Sequence, residues 1–282
     1  MLILNTETKK RDEYWDVIKG IGIISIILGH SCRFSVKWVY SYHLVIFFFV
    51  AGYFYSERKY LNAPFEYIGK KIGGLWPKFV LYQSILVLLS NLFISIGILD
   101  IPKSDFDELI VSVLNTMFFQ HSYIGASAWF VLALITTSSV FCIIFCVVYK
   151  CKSLSFFRRR DVWLALLVLI LSVCGGIGTW CCIKGYRLKC YGELALLLQP
   201  IIGSGWLIKE LGDNVKKRFS KKILKIVCLI GIFSACAIIG WIVGVKDQLI
   251  DLSAHMIIGP ISFYLVSFAG IYLCMCLSLI HI

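Results

Sequence analysis

The sequence predicts an all-α protein: a polytopic bundle of about eight membrane-spanning helices. Three observations predict it. Apolar stretches nearly free of charge recur along the whole chain. At about 18 residues or more, each is long enough to cross a hydrocarbon core of about 30 Å as a helix. The composition is 59% hydrophobic and only 16% charged, with a mean hydropathy of +0.85; a soluble domain needs more polar surface than that. The stretches do not alternate with a period of two, as a membrane barrel would, whereas a helix satisfies its own backbone polar groups in lipid.

In chain order the spans read as about 17–34, 38–56, 75–98, 127–149, 162–180, 190–208, 223–244 and 253–276. The first 14 residues are polar, and the first apolar run has no small-residue cleavage site. It is therefore expected to stay as the first span. The segment 100–126 begins with Asp100, Asp105, Asp107 and Glu108, then turns amphipathic through Leu109, Val113, Leu114, Met117 and Phe118. It is expected to lie on the outer interface, and 61–74 to do the same inside. Gln199-Pro200 predicts a kink in the sixth span, since proline removes a helical donor.

Charge sets the expected orientation. With the N-terminus inside, the inner connections and the span ends beside them hold 20 Lys and Arg and the outer ones 7, as the positive-inside rule requires. The net charge of +12 therefore reads as topology rather than as a nucleic-acid surface. Most of the 12 cysteines fall inside apolar stretches and read as small packing residues. Cys181, Cys182 and Cys190 lie near an outer loop, where a disulfide is open but has no recognisable spacing. There is no CxxC pair, so no metal site is expected.

Ionisable residues inside a membrane helix are costly and are functional candidates by default. Besides Arg33 at its outer end, the first span holds Lys19 and His30. Eleven residues at 100° each bring them to within about 20° of one face, with a rise of about 16 Å. A cation at one end of such a stripe can hold an anionic donor. An imidazole at the other can deprotonate a hydroxyl or carry an acyl group briefly. The same residues also fit a snorkelling lysine and a histidine capping the helix end. His43 opens the second span ahead of Phe47-Phe48-Phe49 and Gly52, where a glycine permits close helix approach. Glu193 starts the sixth span; His121 and His255 fall near outer ends, where interfacial placement is the default.

The run from Asp16 through Lys19 to Gly29-His30-Ser31 resembles the first-helix signature of the membrane-bound acyltransferase-3 family, a basic residue, ten intervening residues and a histidine. Lys19 stands where arginine is common. Tyr42-His43 followed by the Phe-rich run and Ala51-Gly52-Tyr53 resembles its second-helix pattern, with Ala51 replacing the usual serine. Lys70-Lys71 with Trp76-Pro77, and Ala128-Trp129-Phe130, are similar to its later motifs.

The resemblance implies transfer of an acyl group, often acetyl, from acyl-CoA to a hydroxyl of a cell-envelope carbohydrate or lipid-linked glycan. Acyl-CoA would be a donor substrate and not a permanently bound cofactor. The expected place is a bacterial inner membrane, multi-pass, with the N-terminus cytoplasmic. His30 would be the base or transient acyl carrier, Lys19 the donor-binding cation, His43 a second active-site group, and Asp16 the partner that orients Lys19. Lys70, Lys71 and Lys78 would receive the CoA phosphates. The alternative is a transporter or exporter of polysaccharide precursors without acyltransferase activity. A transporter of that kind often carries an internal repeat, and none is visible.

Residues 1–276 read as a single transmembrane acyltransferase domain. The last hexapeptide, 277–282, matches what a common sequencing-adapter end encodes in one frame. It is expected to be read-through, with the natural protein longer, because the family it resembles has about ten helices. Resequencing the locus and finding a genuine stop codon there would overturn this expectation.

Overall fold

The computed structural model describes residues 12–31, 39–40, 42–117, 129–153, 159–218 and 259–281, with isolated positions between 234 and 257. Among them the regular structure is helical throughout. Only isolated positions of the expected span 223–244 are described, and His121 and His255 lie outside the described residues.

Helix α1 runs over Glu13–Ser31. Glu13 and Asp16 in its first turn and His30 in its last complement the helix dipole. Its buried positions are Trp15, Ile18, Gly22, Ser25 and Gly29, a three-four spacing that marks one inward stripe. Ile23, Ile24, Ile27 and Leu28 are exposed on the other side. Helix α2, Val45–Tyr53, is almost wholly buried. It is shorter than the expected span 38–56, because the chain first winds through turns at 42–44. The short helix α3, Glu57–Tyr60, leads into α4, Pro64–Leu88. Pro64 at the first position of α4 gives up only a donor that would be unsatisfied anyway. Because α4 is continuous from Pro64, most of the segment 61–74 extends a span and does not form a separate interfacial piece.

The chain continues through α5 (Ser90–Ser95), α6 (Phe106–Met117), α7 (Trp129–Lys150) and α8 (Arg160–Lys184). It then passes through α9 (Gly192–Leu197), α10 (Gln199–Arg218) and α11 (Pro260–His281). The amphipathic α6 packs on α4. The segment leading into it is tied back by a reciprocal pair: Asn91 donates to the Ser104 carbonyl at 2.7 Å and accepts from its N–H at 3.0 Å.

Four helical stretches are long and apolar enough to cross a membrane: Pro64–Ser95, Trp129–Ser153, Arg160–Lys184 and Ile261–Leu279. The pair Lys189–Leu197 and Gln199–Leu211 is bent by 55° and makes a fifth if it is one span. The bend falls at the predicted Gln199-Pro200 kink, where Pro200 has no N–H to continue the helical ladder. The freed carbonyls are met by side chains: Gln199 Nε2 donates to Ala195 O at 2.8 Å, and Tyr264 Oη to Leu197 O at 2.7 Å.

Two contacts lock the bundle. A Cβ on Gly52 would stand 1.8 Å from the Ile202 carbonyl oxygen, and one on Gly205 would stand 1.9 Å from that of Phe49. So α2 and α10 touch backbone to backbone, as small residues allow in membrane bundles. Tyr14 Oη donates to Met275 O at 3.2 Å and Ser278 Oγ to Tyr14 O at 2.8 Å, which sets the start of α1 beside the end of α11. Two apolar clusters fill the interior. One centres on Trp15, Phe48, Leu194 and Phe263. The other centres on Phe141, Phe145, Trp163 and Trp206.

Candidate active site

The two histidines singled out by spacing come together at one end of the bundle, with a tyrosine ring between them. Val39 and Tyr40 precede the turn into α2, and the imidazole of His43 folds back onto that turn. Its Nδ1 lies 2.9 Å from the Val39 carbonyl oxygen. A carbonyl only accepts, so Nδ1 carries the proton and Nε2 is the basic nitrogen of the neutral ring. His43 is buried, at 3% exposure. The Tyr40 ring sits 4.7 Å from that of His43 and 6.0 Å, edge on, from that of His30. Gly29 makes room for it: a Cβ there would be 2.9 Å from the Tyr40 ring. One helical step from the buried stripe, His30 is exposed at the rim of α1.

Tyr42 adds a second link. Its hydroxyl and that of Ser25 are 3.2 Å apart, and its Cβ packs so tightly on α11 that a side chain on Gly270 would clash with it. Tyr40 and Ser25 were not among the predicted site residues. The inward stripe of α1 could have found Ser25; no local pattern points to Tyr40.

Lys19 and Asp16 form an ion pair of 2.7 Å, the i,i+3 geometry expected from their spacing. The ammonium of Lys19 also lies 5.5 Å from the centre of the Phe54 ring. Because α1 is unbroken from Glu13 to Ser31, Lys19 and His30 do share a side. That side is the shoulder of the buried stripe, and Lys19 stays about two-fifths exposed, at 39%.

Two of the α4 cations lie over a tyrosine cluster that packs on Tyr55. The residue after Phe54, Tyr55, packs on Tyr60 and Tyr67. Lys59 and Lys70 lie over Tyr60, and Lys71 lies over Tyr67. Lys70 is also paired with Glu66. Lys209, absent from the sequence-based set, donates to the Tyr55 carbonyl at 2.9 Å. Lys78 is exposed further along α4. Lys19 thus meets Phe54 and Lys209 meets Tyr55, while Lys59, Lys70 and Lys71 lie on the two tyrosines that pack against Tyr55 and Lys78 lies outside both sets.

Glu193 is buried and accepts from the Leu188 N–H at 2.7 Å. It follows Cys190 and Tyr191, both held at positive φ, a backbone form that non-glycine residues adopt at a cost. Cys181, Cys182 and Cys190 are free thiols. Among the described residues no group of three His, Cys, Asp or Glu side chains could hold a metal ion.

The helices and their apolar lengths define a multi-pass membrane protein. A family model of the acyltransferase domain, Acyltransferase 3, matches residues 12–282, and the chain belongs to this family of membrane acyltransferases. No curated relative and no solved structure matches it.

Proposed function

We propose that the protein moves an acyl group, acetyl in the simplest case, from cytoplasmic acyl-CoA to a hydroxyl of a cell-envelope carbohydrate or lipid-linked glycan. The observation that carries this reading is the pairing of His30 and His43 across Tyr40, at the far end of α1 from Lys19. With the N-terminus cytoplasmic, Lys19 faces the donor and the histidines face the acceptor.

On this reading the chain's residues divide the work. The cations around Phe54-Tyr55 hold the donor's phosphates, Lys19 with its orientation set by Asp16, and Lys70 and Lys71 from α4. His30 takes the proton from the acceptor hydroxyl as its oxygen attacks the thioester carbonyl. The C–O bond forms, the C–S bond breaks, and the leaving thiolate receives a proton. His43, with Nδ1 committed to Val39 O, presents Nε2 as a second polar group beside that transfer.

The test supplies labelled acetyl-CoA and cell-envelope glycan to membranes holding the protein. Label should enter the glycan with wild type and be lost with His30→Ala. Undiminished label with His30→Ala would overturn the role of His30.

A second reading, a transporter of glycan precursors, draws on the 55° break at Gln199-Pro200, since broken helices often frame transport sites. Glycan export that persists in membranes without acyl donor would favour it.

A further inference from the structure

Two buried polar atoms inside the bundle, Thr137 Oγ1 and Gln199 Oε1, have no hydrogen-bond partner among the described residues, and two more, Tyr67 Oη and Ser138 Oγ, have none but each other. They belong together. Thr137 and Ser138 are neighbours on α7, and both are fully buried. Gln199 Nε2 donates to the Thr137 carbonyl at 3.2 Å, which brings its amide to the same turn of α7. The Tyr67 hydroxyl from α4 faces that of Ser138. Side chains from α4 and α7 therefore meet the first residue of α10 at the α9–α10 break.

The polar line continues along α7. Cys142 and Cys146 follow Ser138 at four-residue steps, so they share its face, with about 6 Å between steps. The Tyr55 hydroxyl lies 3.6 Å from Cys142 Sγ, and Cys146 Sγ donates to Tyr60 O at 3.6 Å. The line ends at Tyr60, under Lys59 and Lys70.

Leaving Thr137 Oγ1 and Gln199 Oε1 dry would forfeit a sizeable share of the stability a folded domain has. The four are uncharged. Three can both donate and accept, and the Gln199 oxygen only accepts. That set offers no countercharge for an ion, and it offers the two to four polar partners that one buried water requires. We propose that bound water occupies this seam, bridging Gln199 Oε1 to the Thr137, Ser138 and Tyr67 hydroxyls and making a hydrated line between the helix break and the basic end of the bundle.

Two measurements on the full chain in lipid nanodiscs test it. Thr137→Val removes a hydroxyl at nearly constant shape. If water bridges these groups, the variant strands the water's other partners, and Tm falls by about 2–4 °C. A Tm that holds or rises means the seam is dry and overturns the proposal. Radiolytic hydroxyl labelling of the unaltered protein, read by mass spectrometry, reports water beside a residue directly. Cys142 should oxidise at least about tenfold faster than Cys274, which is equally buried at 1% against 0%. Equal rates also overturn the proposal.

Discussion

Gly29 and Tyr40 are in close contact: a Cβ on Gly29 would stand 2.9 Å from the tyrosine ring, which would have to shift. This close fit sets where the ring lies between His30 and His43. Gly29→Ala should therefore push Tyr40 aside and loosen both histidines. Acyl transfer should fall by about 10–100-fold, the range expected for a displacement of about 1 Å at a reacting centre. KM for acyl-CoA should change little, because Lys19 lies at the other end of α1. Steady-state kinetics in membranes check both parts. A wild-type rate would show that Tyr40 does not position the site.

Lys19 pairs with Asp16 and lies over Phe54. If it holds the donor's anion, Lys19→Ala should raise KM for acyl-CoA by about tenfold, and Lys19→Arg should restore most of the binding. Asp16→Asn should produce a smaller rise. A loss confined to kcat, with KM intact, would contradict donor binding.

Gly52 and Gly205 hold α2 against α10 with no space for a methyl group. Gly52→Ala and Gly205→Ala should each destabilise the protein by about 1–3 kcal/mol, the usual cost of overpacking. Gly73→Ala is the control, because a Cβ there meets nothing within 4 Å. It should be neutral or stabilising by about 0.5–1 kcal/mol through helix propensity. Thermal unfolding in nanodiscs ranks the three. Equal effects would mean that the α2–α10 contact is looser than described.

The hydroxyl of Tyr264 caps the Leu197 carbonyl at the break between α9 and α10. Tyr264→Phe keeps the ring and leaves that carbonyl without its donor. It should cost about 1 kcal/mol, which lowers Tm by about 2–4 °C in a chain of this size. An unchanged Tm would mean another donor already serves Leu197.

Much of this architecture is visible along the chain. Apolar runs mark the long helices. Pro200 marks the bend, because a residue without an N–H breaks the ladder wherever the helix lies. The three-residue step from Asp16 to Lys19 gives their ion pair, and the eleven-residue step puts Lys19 and His30 on one side of α1. Gly52 signals a close approach, though not that Ile202 is what approaches. Each of these follows from a period or a residue type, which are local properties.

The rest depends on how each helix turns about its own axis when it packs. Packing against α2, the turn before it and α11 buries Ile18, Gly22, Ser25 and Gly29 and leaves His30 at the rim. It also sets Tyr40 against Gly29, carries Lys209 to the Tyr55 carbonyl, and collects Lys59, Lys70 and Lys71 on two tyrosine rings. Lys59 on Tyr60 and Lys71 on Tyr67 are each neighbours within one helix, but the other partners come from separate helices or turns, so hydropathy and spacing within one segment do not encode them. From the sequence alone come the membrane, the helices and the candidate residues. Which of those residues meet was decided by side-chain packing between helices, where a shift of about 1 Å separates contact from none.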